Sequence, residues 1–338
     1  QMPLPTSQDV HVDALLTNMS VMFAQKQTTG TQGFIADRAF PRLDVKKQSD
    51  KYAEWDQGDF MRLAAAKRAD GDPAVEGGYK VKTTSSYFCE KYGLAKLLTA
   101  GQRAQYDVPL NAEKAVVSYL TSQLLARRDK VWADACFVTG KWGQDLTGKS
   151  ATPGANEFLQ WNDSASNPID DVRVGHGVVE DKIGVLAATL KKKLIVGAKA
   201  HRVLMDHSDV LDRIKYTQKG VVTPDLLAAL LGVDEYLVAW GVENTAKEGA
   251  TDVFAQIINS KAALLLYVTY GPAVDEPSAG YTISWSEFDG VSTQGAAIKS
   301  TPQPTRDFNG ADLYEGQIAF DPKIVAKSLG VFFTTAVA

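Results

Sequence analysis

Hydrophobic and polar positions follow a different rhythm in each part of the chain. Residues 1–50 hold no sustained period. Short apolar groups such as Val10, Val12, Leu15, Leu16 and Val21-Met22-Phe23 are broken by polar clusters. A brief helix is expected near 13–25, and Thr28-Thr29-Gly30-Thr31-Gln32-Gly33 reads as a turn or loop. Such a segment buries little against itself. It is either a loose terminus or an arm ordered on another part of the molecule or on a neighbour. Residues 51–88 read as a long hairpin with strands at 51–56 and 79–88. The second strand puts Tyr79, Val81, Thr83, Ser85 and Tyr87 on one face and Lys80 and Lys82 on the other. Asp70-Gly71-Asp72-Pro73 and Gly77-Gly78 supply turn chemistry between them. Glu54 and Asp56 are expected opposite Lys80 and Lys82. A two-stranded ribbon is marginal alone. Its aromatic residues Tyr52, Trp55, Phe60, Tyr79 and Tyr87 are therefore candidate anchors on an adjacent subunit.

Residues 111–137 read as one long helix. Pro109 precedes it, Asn111 is the expected N-cap and Gly140 follows. Val117, Leu120, Leu124, Val131 and Ala135 fall at helical steps, with Arg128 interrupting the stripe. At 1.5 Å rise, about 26 residues span about 39 Å, the length of a strut. Residues 140–168, rich in Gly, Ser, Asn and Thr, read as a loop region around Trp142, Phe158 and Trp161. Residues 170–272 form an α/β pattern. A helix is expected over 178–196, a strand over 201–206 and a helix over 208–216. Another helix opens at Thr223-Pro224, and strands follow at 236–240 and 262–270. From 281 to the end the pattern is mostly β, with strands at 313–320 and 330–335 and a short helix starting at Asp321-Pro322-Lys323.

Composition narrows the class. With 45% hydrophobic and 22% charged residues among 338, sizeable cores form and global disorder is excluded. Lys and Arg number 36 against 40 Asp and Glu, a net −4, unlike a strongly basic nucleic-acid binder. The charge is uneven. Residues 181–219 carry nine Lys/Arg against four Asp/Glu, and 234–289 carry two against nine. This reads as an uneven solvated surface or as complementary subunit faces. Cys89 and Cys136 cannot build a disulfide framework. They read as small core residues in a reducing compartment. The longest apolar runs, 226–231 and 262–268, fall short of the roughly 20 residues of a membrane span. No charged start leads into an apolar block, so no signal peptide is expected.

Several motifs imitate chemistry. Gly143-Gln144-Asp145-Leu146-Thr147-Gly148-Lys149-Ser150 matches the phosphate-loop pattern, which needs a buried strand before it and a helix starting at Lys-Ser. Here a long helix precedes and Pro153-Gly154 follows, so a surface loop without nucleotide chemistry is expected. Val174-Gly175-His176-Gly177-Val178-Val179-Glu180 imitates a dinucleotide fingerprint but puts Glu180 at the third glycine. His201, Asp206, His207 and Asp209 lie close together without a metal-ligand spacing, and read as a polar strand end before a helix cap. No serine-hydrolase elbow occurs. Arg127-Arg128 and Lys191-Lys192-Lys193 read as solvated helix faces.

Five segments carry a family resemblance. Phe34-Ile35-Ala36-Asp37-Arg38-Ala39-Phe40-Pro41-Arg42-Leu43-Asp44-Val45 is followed by Lys51-Tyr52-Ala53-Glu54-Trp55-Asp56, then by Tyr87 through Tyr92-Gly93-Leu94-Ala95. Asn111-Ala112-Glu113 opens the long helix, and Leu313-Tyr314-Glu315-Gly316 to Phe332-Phe333 closes the chain. In this order they resemble the end of the arm, the extended loop, the spine helix and the last strands of tailed-bacteriophage major capsid proteins. The resemblance implies an α+β protein of the Hong Kong 97-type fold. Its parts would be an N-terminal arm (1–50), an extended β-hairpin loop (51–88), a peripheral domain with the spine helix at about 111–137 (89–169), an α/β axial domain (170–271) and a return to the peripheral β region (272–338). It implies a coat protein that self-assembles as hexamers and pentamers into an icosahedral phage head enclosing double-stranded DNA through weak non-specific contacts. The location would be the virion capsid, assembled in the host bacterial cytoplasm. Portal, scaffold or decoration proteins would be further partners; no catalytic, cofactor-binding or metal residues and no membrane are implied. Some relatives lose an N-terminal segment to a protease, and a chain opening at Gln1 is compatible with that. Some form a Lys–Asn isopeptide link, for which this sequence offers no placed Asn and acidic helper. The alternative of the same fold is an encapsulin-like nanocompartment shell with protein cargo. The alternative of another class is a P-loop NTPase.

Overall fold

The computed structural model describes residues 32–52, 54–55, 57–105, 112–214, 222–272, 276–289, 296–306 and 308–338. The expected helix at 13–25, and Pro109 and Asn111 before the long helix, lie outside the described residues. In chain order the first elements are β1 (Gln32–Gly33), α1 (Ala36–Ala39), β2 (Arg42–Val45), β3 (Ser49–Lys51), β4 (Glu54–Trp55) and α2 (Gln57–Phe60). Then come β5 (Val81–Lys82), β6 (Ser86–Phe88), β7 (Glu90–Thr99), α3 (Ala100–Ala104) and the long helix α4 (Ala112–Cys136). The middle holds β8 (Gln144–Lys149), β9 (Glu157–Leu159), α5 (Pro168–Ile183), β10 (Lys191–Gly197), α6 (Ala198–Asp206), α7 (Ser208–Ile214) and α8 (Pro224–Leu230). The chain continues with β11 (Glu235–Ala239), β12 (Val242–Asn244), β13 (Phe254–Gln256), β14 (Ala263–Val268), β15 (Gly280–Trp285), α9 (Ser286–Asp289), β16 (Ala297–Gln303), β17 (Ala311–Ile324) and β18 (Gly330–Thr334).

Two sheets carry the body. A seven-stranded mixed sheet runs β1-β11-β10-β14-β18-β8-β9. Every residue of its middle strand β14, Ala263–Val268, is buried, as expected of a strand covered on both faces. Helix α5 packs on β14 and β18, while α6 packs on β10 and β11. The second, five-stranded sheet follows β16-β17-β15-β2, with β7 pairing β17 over Glu90–Phe320 to Thr99–Ala311. Helix α4 lies on β17 and β7. Its Val117, Leu120 and Leu124 are buried with Leu98, Ile298, Tyr314, Ile318 and Phe320, and Val131 packs against the same cluster. The expected stripe thus faces the C-terminal β region of its own subunit.

Several expectations change. Residues 28–33 were expected to turn, but Gln32–Gly33 adds an edge strand parallel to β11. The expected loop at 140–168 contains β8 and β9. The expected helix at 178–196 stops at Ile183. Gly184, at φ 55° and ψ −126°, takes a positive-φ conformation open to glycine that breaks the helix. A 3-10 turn, Gly184–Ala188, follows, and then Lys191–Gly197 runs as a central strand. The Lys191-Lys192-Lys193 run is therefore strand, not a solvated helix face. Residues 201–206, expected as a strand, belong to helix α6, which buries Ala200, His201 and Leu204 at helical steps. Asp321-Pro322-Lys323 starts no helix; it extends β17 along β15. The division at 89–169, 170–271 and 272–338 does not follow sheet membership. Strands β8 and β9 from the first part and β18 from the last complete the sheet built on the middle part, because parallel pairing of β18 with β8 carries that sheet across both boundaries.

Residues 32–45 form a strap that stitches these layers. After β1, the backbone N–H of Ile35 and that of Ala36 donate to the Asp129 carboxylate of α4, at 3.0 and 2.8 Å. One residue on, Asp37 takes both its oxygens to Arg128 Nη1, at 2.6 and 2.7 Å, with both side chains nearly fully buried. The interruption that Arg128 makes in the apolar stripe is thus a buried ion pair. Arg38 pairs with Glu235 of β11, which also lies 3.0 Å from Lys191 and 3.5 Å from Lys193 of β10. Part of the basic-against-acidic charge division therefore meets inside one subunit. Burial lowers the Lys193 ammonium to about 8 against the pull of Glu235. Phe40 then buries its ring edge-to-face on Trp132, and β2 joins β15 in the second sheet. At Gly280, where β15 begins, a Cβ would come within 2.6 Å of the Phe40 ring.

Burial pushes the Asp129 carboxyl up to about 7, opposed by the N–H donors of Ala36 and Ile35. The sign follows. Between the ordinary carboxylate range and about pH 7 the folded chain holds a proton that the unfolded chain has released, so this group's contribution falls as pH rises toward 8. Urea unfolding at pH 5 and pH 8 is expected to show wild type losing on the order of a few kcal/mol more than Asp129→Asn across that interval. Asn keeps an acceptor for the strap and cannot ionise. Asp129→Ala should unfold earlier at both pH values, by about 1–3 kcal/mol for each N–H left unpaired. Equal pH slopes for wild type and Asp129→Asn would remove Asp129 as the titrating group.

Candidate assembly surfaces

The extended loop is rooted firmly and bare beyond its root. At the base β3 pairs antiparallel with β6, Ser49 opposite Phe88 and Lys51 opposite Ser86. The Phe88 N–H donates to Asp321 of β17 at 2.9 Å. Further out β4 pairs with β5, placing Glu54 opposite Lys82 and Trp55 opposite Val81. The expected Glu54–Lys82 facing pair is therefore in register; Asp56 lies outside the described residues. Past Trp55 and Val81 the two arms form no ladder. Residues 61–80 are exposed throughout, Leu63 at 99% and Tyr79 at 62%. A turn with the Asp72 N–H donating to the Ala69 carbonyl at 3.3 Å, and Gly71 at φ 91°, makes the tip.

The five candidate anchors separate. Tyr87, 8% exposed, is buried with Cys89, Tyr281 and Ile283, and half-buried Tyr52 packs on the same cluster. These two root the loop in their own subunit, where the second sheet supplies the apolar cover that the hairpin alone lacks. Tyr79 stands on the exposed part. Trp55 and Phe60 have their backbones in β4 and α2, and their side chains lie outside the described residues. Sequence reasoning missed β7, which continues the loop's return arm into the second sheet, and missed the strap contacts, whose only local signal was a single charge inside the apolar stripe of α4.

The motifs that imitated chemistry are absorbed by the fold. Gly175 and Gly177 lie within α5, and a Cβ on Gly175 would come within 2.8 Å of the Phe333 ring. His176 faces the Tyr267 hydroxyl at 2.6 Å and the Leu231 carbonyl at 3.1 Å. His201 faces the Tyr236 hydroxyl at 3.0 Å, and His207 the Ser166 hydroxyl at 3.0 Å. Burial lowers the pKa of both His176 and His201. Among the described residues no three His, Cys, Asp or Glu side chains are placed to hold a metal ion. No helix among them is long and apolar enough to cross a membrane. Cys89 and Cys136 are buried thiols, and burial raises the Cys136 thiol.

The phosphate-loop match is an inner strand, correcting the expected surface loop. Residues 144–147 pair parallel with β18 and 147–149 with β9, so no backbone curls into a phosphate cradle and no helix starts at Lys149. Gly148 is required by the Thr335 carbonyl oxygen, 2.2 Å from where a Cβ would sit. Lys149 is half-exposed and 3.4 Å from Glu157. The expected outcome is asymmetric. Gly148→Ala lowers stability by about 1–3 kcal/mol through overpacking, whereas Lys149→Ala, losing a surface ion pair, stays within about 1 kcal/mol. Urea unfolding of both variants, with an ATP titration of each, checks this. ATP binding abolished by Lys149→Ala would contradict it.

No family model matches the chain. It is 25% identical over 278 residues to the major capsid protein of Burkholderia phage BcepMu, covering 80% of this chain and 83% of that one. A phage-related protein from Bordetella bronchiseptica RB50 superposes with a TM-score of 0.68 at 20% identity, covering 97% of this chain and 98% of that one. The capsid of cyanophage P-SCSP1u superposes with a TM-score of 0.52 at 10% identity, covering 87% and 84%. The strap, rooted loop, long helix and paired sheets therefore compose the Hong Kong 97-type capsid fold, on a chain related in sequence to a phage major capsid protein.

Proposed function

We propose that this protein is the major capsid protein of a tailed-phage head, assembling with itself as hexamers and pentamers into a closed icosahedral shell. The observation that carries the reading is the loop over 57–80. It is rooted by two ladders and a buried aromatic cluster, yet it presents residues 61–80, Leu63 and Tyr79 among them, to solvent. A chain that fixes the base of a loop and leaves apolar residues on its outer arms uncovered has the form of a subunit completed by its neighbours. The sequence relationship to a phage coat protein supports the same reading. Double-stranded DNA is the proposed content, enclosed without strong gripping, which the net charge of −4 supports. Assembly in the host bacterial cytoplasm, with portal, scaffold or decoration proteins added, completes the proposal.

Deleting Gln57 to Gly78 removes the bare part of the loop and leaves both sheets and α4 intact. The expected outcome is a variant with unchanged helix and strand signals by circular dichroism that fails to sediment as shells or gives shells of reduced heat stability. Normal shells from the deletion would contradict the role of the loop. Shells isolated from the organism that makes the protein, after external nuclease, should contain protected double-stranded DNA. Protein cargo in its place would establish the nanocompartment reading.

A further inference from the structure

One exposed apolar surface lies outside everything described so far. Between β11 and β14 the chain leaves the seven-stranded sheet as a hairpin, β12 against β13, with Val242 opposite Gln256 and Asn244 opposite Phe254. Its tip is internally tied. The Asn244 side-chain oxygen accepts from the N–H groups of Ala246 and Val253, both at 3.0 Å, and the Asn244 amide donates to Asp252 at 2.8 Å. Its base is held against α4, where Lys130 lies 3.0 Å from Glu243. On this preorganised hairpin Phe254 is 71% exposed and Val253 56%. An aromatic ring held rigidly in solvent is the form of an interface anchor. Residues 242–256 carry Glu243, Glu248 and Asp252 against one cation, Lys247.

The extended loop carries the complement. Residues 61–68, Met-Arg-Leu-Ala-Ala-Ala-Lys-Arg, are exposed, contain three cations and no anion, and hold Leu63 wholly in solvent. Leu63 stands eight residues beyond the last ladder pair at Trp55, four of them in α2, so it lies roughly 20 Å out at about 1.5 Å per helical and 3.3 Å per extended residue, within reach of an adjoining subunit. We propose that the β12–β13 hairpin is the docking surface for residues 61–68 of the extended loop of a second copy of this chain. Leu63 packs beside Val253 and Phe254, and Lys67 and Arg68 face Glu248 and Asp252. This inference rests on the shell reading and adds to it the surface that receives the loop.

The test uses the full chain carrying Leu63→Cys and Val253→Cys, singly and together, oxidised with diamide after assembly and run on non-reducing gels. The native thiols Cys89 and Cys136 are buried and give little background. The double variant should form a covalent ladder, and the two single variants mixed before assembly should form dimers. In parallel, Lys67→Glu with Arg68→Glu should lower shell yield roughly tenfold, and adding Glu248→Lys with Asp252→Lys should restore it, since like charges are then opposed and relieved. Well-formed shells with no link between the two positions, and unchanged yield on charge reversal, would overturn the docking surface while leaving the shell reading standing. Self-coupling of Val253→Cys alone would overturn it in favour of hairpin against hairpin. Absence of shells from wild type would overturn the shell reading and the docking with it.

Discussion

Asp129 sits within a helix of about seven turns and holds two backbone N–H groups that come from residues more than ninety positions earlier in the chain. Beside it, Arg128 and Asp37 neutralise each other where neither side chain meets water. A buried charge left without its partner typically costs about 3–5 kcal/mol. The strap at 32–45 is therefore held in one place. Because it is held there, β1 can edge one sheet, β2 can edge the other, and Phe40 can fill the space between Trp132 and Trp142. The body behaves as one preformed unit because a few polar contacts fix the register of segments with little apolar surface of their own.

That rigidity has a consequence for assembly. Association costs translational and rotational freedom and the ordering of whatever is loose. A subunit whose sheets, long helix and strap are already tied together adds little ordering cost beyond that of the loop. The loop itself is anchored at both ends by Tyr52, Tyr87 and the Asp321 carboxylate, so its two arms leave the body in a fixed direction. The exposed apolar residues at its outer part then gain cover only where a second surface lies within reach. Burying each large side chain is worth about 1.5–3 kcal/mol, and a closed shell repeats that gain at every subunit.

The sequence made some of this legible and hid the rest for physical reasons. The long helix and the final strands showed because their apolar periods are sustained, and the Glu54–Lys82 pairing followed from alternation alone. Residues 191–197 misled because a run of three lysines leading into Leu-Ile-Val has no period of its own. Partners distant in sequence, the Glu235 carboxylate and the Arg38 carbonyl, make Lys193 tolerable inside a sheet. Residues 143–150 misled by composition, reading as a surface loop where Gly148 serves a close backbone approach within a strand. Residues 201–206 alternate well enough to imitate a strand, while burial follows the helical spacing of Ala200, His201 and Leu204. The Asp129 contact is non-local. Its trace was the neighbouring Arg128, a charge where the helix should have been apolar. The order of segments that carried the family resemblance covered what periodicity missed.

The central claim is that the outer loop is bare in the single subunit and covered only by another copy. Amide hydrogen exchange measured on unassembled protein and on assembled shells tests it most directly. Residues 61–80 make few internal backbone hydrogen bonds, so they should exchange at nearly unprotected rates in the subunit and slow markedly in the shell. The N–H groups of Ile35 and Ala36, bonded to Asp129, should be protected in both. Strong protection of 61–80 already in the subunit, or equal exchange in subunit and shell, would contradict the account.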